Sequence, residues 1–100
     1  MNHKSKGFEY TIDSDPQGDF LEVYRTDEKG EREGLWLSIF INTHEGETVE
    51  DGIKAAKVEL YDPVFLSEIG LAGQELSNQR EALNWLEYAY PSIQDIKDNA

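Results

Sequence analysis

The run Leu35 to Asn42, LWLSIFIN, constrains this chain more than any other stretch. At period two, Leu35, Leu37, Ile39 and Ile41 share one face while Trp36 and Phe40 share the other, with Ser38 between them. A strand of this kind asks for cover on both sides, and strands apolar on both faces are rarely edges. The run is predicted to be the buried central strand of a sheet, and the rest of the chain must supply its neighbours and its cover.

Neighbours are legible just upstream. Phe8, Tyr10 and Ile12 alternate with Glu9, Thr11 and Asp13 as in a half-buried strand. Asp15, Pro16, Gln17 and Gly18 have the residue types of a type I turn, with Pro at the second position and Gly at the fourth. Asp19 to Arg25 then forms a second strand, with Leu21 and Val23 on one face and Phe20 and Tyr24 on the other. Asp27 to Gly30 repeats the turn chemistry, and Glu31 to Gly34 extends it into a charged tip before the central strand. Two successive hairpins make a meander.

Downstream, Thr43 to Gly46 is a third turn, after which the reading forks. Thr48 with Asp51 resembles a capping box, which would put Val49, Ile53, Ala56 and Leu60 on one helical stripe. Against this, Gly52 weakens a helix interior, and Ala56, Val58 and Leu60 alternate with Lys57, Glu59 and Tyr61. The balance predicts a strand from Lys54 to Tyr61. Asp62 and Pro63 then open a short helix that Gly70 ends, and Leu71 to Ser77 is a connector. A capping box at Asn78 and Glu81 starts the main helix, whose stripe is Ala82, Leu83, Leu86, Ala89 and Tyr90 and which Pro91 stops. Ser92 and Asp95 cap a last short turn with Ile93 and Ile96.

The resulting class is α+β: a three- to four-stranded antiparallel β-meander with C-terminal helices packed on one face, the main helix lying against Leu35, Leu37, Ile39 and Ile41. Residues 1–7 are polar and read as a flexible tail, and residues 8–98 as a single domain. One hundred residues suffice to bury roughly two-thirds of the unfolded surface in one core.

Charge carries most of the functional information. Nine Lys and Arg against 21 Asp and Glu leave a net charge of −12. Nucleic acid and anionic membrane are disfavoured as direct partners. No apolar run approaches the roughly 18 residues of a membrane span, and no leader-like segment opens the chain. Without cysteine there is neither a disulfide, a thiolate metal site nor a Cys nucleophile. These features point to a soluble cytoplasmic protein.

Catalytic and metal motifs are weak. Asp13, Asp15, Gln17, Gly18 and Asp19 are spaced like the start of an EF-hand calcium loop, but Tyr24 stands where the bidentate Glu belongs and strands flank the segment. His44 and His3 are isolated from any triad or zinc spacing. The expectation is no enzyme, no metal and no cofactor.

Two binding readings follow. In size and charge the chain resembles the small DNA-mimic proteins of phages and mobile elements that block restriction, CRISPR or repair machinery. That resemblance implies an anti-defence inhibitor whose carboxylates meet the Arg and Lys of a basic DNA- or RNA-binding protein, with affinity that falls with salt. Its contributors would be Asp13, Asp15, Asp19, Asp27, Glu28, Glu31 and Glu33 at the hairpin tips, and Glu45, Glu47, Glu50 and Asp51 beyond the central strand. The alternative is an interaction or immunity-type module. Phe20, Tyr24, Trp36 and Phe40 would line the sheet face opposite the main helix, as a partner-binding patch, a homodimer seam, or a second small core.

Overall fold

The computed structural model describes residues 2–5, 7–70 and 73–99, with side chains described for 7–70 and 73–99. Strands β1 (Asn2–Ser5), β2 (Phe8–Asp15), β3 (Gly18–Thr26) and β4 (Arg32–Ile41) form one antiparallel sheet in the order β1-β2-β3-β4. Helices α1 (Val49–Leu60), α2 (Pro63–Ile69) and α3 (Gly73–Asp98) follow. This is the expected α+β meander with helices on one side.

Three strand expectations change. The backbone of Asn2–Ser5, expected as part of a tail, pairs with Phe8–Thr11; ladder hydrogen bonds need only backbone groups, so polar composition does not forbid a strand. β4 is the last strand of the sheet instead of a central one. Its two-sided apolar pattern has a different origin, a bulge. Val23 pairs with Leu37 but Tyr24 pairs with Leu35, so Trp36 is the extra residue. The bulge reverses the alternation below Leu37. Leu35 joins Tyr24 on the helix-free face and is 52% exposed, while Trp36 turns to pack against the core.

Residues 54–61 are helical, not a strand. Thr48 and Asp51 close the capping box from both sides: Asp51 N–H donates to Thr48 Oγ1 at 3.2 Å and Thr48 N–H to Asp51 Oδ2 at 2.9 Å. Gly52, which argued against a helix, is what lets it pack. A Cβ there would sit 3.0 Å from Ile41 Cγ1 and 3.2 Å from Ile39 Cγ2. The glycine trades helix propensity for close approach of α1 to β4.

α2 matches its prediction, with Asp62 Oδ1 accepting from Val64 N–H at 2.9 Å and Gly70 left-handed at φ 61°. α3 does not. It is one helix from Gly73 to Asp98 with Pro91 inside it, so Asn78 is an interior residue that accepts from Gln74 Nε2 at 2.9 Å. Of the expected connector, Leu71 and Ala72 lie outside the described residues. Pro91 removes one helical donor at a cost of about 3 kcal/mol. Beyond it, Ile93 is fully buried, worth about 2 kcal/mol. Gln94 Oε1 also accepts from Val49 N–H at 2.8 Å, tying α3 to the first turn of α1. Stopping at Pro91 would forfeit both.

The core lies between the sheet and α1 and α3. It contains Phe8, Tyr10, Leu21, Val23, Leu37, Ile39 and Ile41 from the strands, with Val49, Ile53, Leu83, Leu86 and Ile93 from the helices. Trp85, which is not among the stripe residues Ala82, Leu83, Leu86, Ala89 and Tyr90, is also buried, with its ring stacked on Phe8 at 5.5 Å.

Candidate protein-binding surface

The register decides which side chains share the face that no helix covers. Pairing sets Phe20 opposite Phe40 and Asp13, Glu22 opposite Ser38 and Thr11, and Tyr24 opposite Leu35 and Glu9. Phe20 and Phe40 are 36% and 39% exposed, with ring centroids 5.1 Å apart at 51°. Gly18 makes room for this pair: a Cβ there would meet the Phe40 ring and the Ile41 carbonyl. Of the four aromatics expected here, Phe20, Tyr24 and Phe40 are present, and the bulge exchanges Trp36 for Leu35.

The far end of this face is built differently. Glu9 is buried, and its Oε2 accepts from Arg32 Nε at 3.2 Å. The same guanidinium lies 4.2 Å from the Tyr24 ring centroid, and Tyr24 Oη donates to Glu22 Oε2 at 3.2 Å. Burial, reinforced by the Glu22 carboxylate, raises the Tyr24 pKa above the ordinary phenol value. An ion pair at the edge of the face was invisible in sequence, because Glu9 and Arg32 are 23 residues apart.

The acidic candidates divide between the two ends of the sheet. Asp19 pairs with Ile41 and Thr26 with Arg32, so Asp13, Asp15 and Asp19 share an end with Glu45, Glu47, Glu50 and Asp51. Asp27, Glu28, Glu31 and Glu33 sit at the other end, nine residues of β3 away, or about 30 Å. Several of them hold the fold together. Asp15 Oδ1 accepts from Gln17 N–H at 2.9 Å, and Asp27 Oδ1 accepts from Lys29 and Glu31 N–H at 2.8 and 2.9 Å. Glu47 Oε2 accepts from Asn42 N–H at 2.8 Å. Glu50 pairs with Lys54 at 3.0 Å, and Asp19 approaches Lys97 at 3.9 Å. Hydrogen bonds from the Thr48 backbone and hydroxyl hold the Asp51 carboxyl below its usual pKa. Asp13, Glu28, Glu31, Glu33 and Glu45 remain as exposed side chains.

A groove, missed by sequence reasoning, runs along the outer edge of β4. It has a volume of about 420 Å³ and is lined by Leu35, Trp36, Leu37, Ala56, Leu60 and Phe65, with Glu59 as its charged wall. α2 borders it with no buried residue despite carrying Val64, Phe65, Leu66 and Ile69. Two guanidiniums brace the surroundings. Arg25 lies 5.1 and 5.2 Å from the Phe8 and Trp36 rings and bonds Glu81 at 2.6 Å. Arg80 donates twice to the Leu60 carbonyl, at 2.8 and 3.3 Å, and lies 4.2 Å from the Tyr61 ring.

His44 is exposed in a short 3-10 turn, Thr43–Glu45. Among the described residues no group of three His, Asp or Glu converges to hold a metal ion, and no helix is long and apolar enough to cross a membrane. No protein-family model, curated protein or solved structure matches this chain.

Proposed function

We propose that this chain is a non-enzymatic cytoplasmic module that binds a basic protein through the helix-free face of its sheet. The observation that supports it is the contacting Phe20–Phe40 pair, which no helix covers, beside Asp13 and Glu22. Aromatic side chains supply buried area at binding hot spots at little entropic cost, and surrounding carboxylates select for cationic partners and speed encounter. The test is affinity capture from a nuclease-treated lysate with the wild-type chain and with Phe20→Ser/Phe40→Ser, eluted in rising salt and identified by mass spectrometry. A basic protein held by the wild type and lost by the double variant supports the reading. Equal capture by both overturns it.

A nucleic-acid mimic that blocks a basic DNA- or RNA-binding protein is the second reading, favoured by the gathering of Asp13, Asp15, Glu45 and Glu47 at one end of the sheet. Under it, added DNA displaces the captured protein, and charge reversal of Asp13 and Glu45 weakens capture more than loss of the aromatic pair.

A further inference from the structure

We propose that β4 is a docking edge, at which an extended segment of the basic partner adds a fifth strand to the sheet. The proposal rests on the reading of the chain as a protein-binding module and adds the mode of recognition. β4 has ten residues, ends the sheet order, and carries neither Pro nor Lys. Natural edge strands are commonly blunted by such residues or by bulges, because an open row of N–H and C=O groups templates further pairing. Here the irregularities, at Glu33 and Trp36, and the charged residues Arg32 and Glu33 are confined to the first half of the strand, leaving Leu37 to Ile41 in regular register with β3.

Side chains of an added strand would alternate between two surfaces. One set would lie beside Phe40, Ser38 and Leu35 on the helix-free face, and the other would enter the groove between β4, α1 and α2. That groove is mostly apolar, and of the α2 residues that line it, Phe65 is half-buried and Ile69 is 41% exposed. A seven-residue helix that leaves Phe65 and Leu66 only half-buried and Val64 and Ile69 exposed is a wall without its contents.

Charge selects the occupant. Among the described residues Glu59 is the charged residue lining the groove, and the two guanidiniums beside it are already engaged, Arg25 by Glu81 and Arg80 by the Leu60 carbonyl. A second copy of this chain would bring another −12 to the same edge. A segment with Lys or Arg interleaved among aliphatic residues matches both the wall and the overall field.

The experiment is selection from a random-sequence peptide library with peptides the length of β4, followed by fluorescence anisotropy on a selected peptide and a copy N-methylated along one backbone edge. The expected pool is enriched in Lys and Arg with aliphatic residues at alternate positions. N-methylation should weaken binding by about ten-fold or more, since it removes pairing hydrogen bonds and leaves side chains in place. Glu59→Lys should weaken it as well, and the bound peptide should slow hydrogen exchange at amides of Leu37 to Ile41. If the N-methylated copy binds equally and Phe20→Ser/Phe40→Ser abolishes binding, strand addition is wrong and the binding-module reading stands. Failure to select any peptide while protein capture succeeds also removes strand addition alone. Failure of both removes both, and a dimer with β4 amides protected without peptide overturns the choice of occupant.

Discussion

Replacing Gly52 by alanine sets two effects of known sign against each other. In an exposed helix the change would stabilise by about 1 kcal/mol. At this position the new Cβ would stand 3.0 Å from Ile41 Cγ1 and 3.2 Å from Ile39 Cγ2, whereas carbon atoms rest about 3.5–4.0 Å apart. Relieving that overlap means moving α1 off β4 by a few tenths of an ångström, an overpacking cost of about 1–3 kcal/mol. The expected net loss is about 1 kcal/mol, or about 4–8 °C in Tm for a domain of this size. Ile41→Ala removes the atom in closest approach and leaves the 3.2 Å contact to Ile39, so in that background the loss on Gly52→Ala should shrink toward zero. Urea unfolding followed by tryptophan fluorescence gives all four corners of the cycle. A higher midpoint for Gly52→Ala alone, or the same effect in both backgrounds, would refute the argument that α1 packs through its glycine.

Arg32→Met should destabilise by about 1–3 kcal/mol in urea, because it leaves the Glu9 carboxylate buried without its cation; adding Glu9→Met should recover most of the loss. Asp51→Ala should lower Tm at neutral pH and matter less in acid. The folded Asp51 pKa lies below its unfolded value, so its contribution is present above the ordinary carboxylate range and lost as pH falls through the lowered value. A difference between wild type and variant that grows toward low pH would contradict that sign. Arg80→Lys should cost about 1 kcal/mol, since an ammonium cannot make both bonds to the Leu60 carbonyl while covering the Tyr61 ring. Chemical denaturation at neutral pH checks it.

The expectations that held share a property: each depended on neighbours along the chain. The two hairpins, the Asp62 cap, the Gly70 stop and the core stripe of α3 are set by residues within four positions of one another. The capping box at Thr48 belonged to this group, yet the alternation of Ala56, Val58 and Leu60 outweighed it. In the folded helix Val58 is 70% exposed, so the alternation was incidental. Pro91 misled for a related reason. Its local cost is fixed, while the gain that keeps α3 intact comes from burial of Ile93 and from Gln94 reaching the first turn of α1.

The candidate surface was legible in its composition and not in its arrangement. Sequence alone determined the meander, the helical character of the last forty residues and the charge of −12, because turn residues, caps and ionisable groups act over a few bonds or merely add. Only the tertiary structure decided that Trp36 turns inward and Leu35 outward, since in a run apolar at every neighbouring position either parity satisfies the local pattern. The position of β4 at the sheet edge, the pairing of Glu9 with Arg32, and the separation of the acidic tips by the length of β3 likewise depend on which strands meet. Register is a property of two segments at once, and it chooses the face on which every side chain of a strand appears.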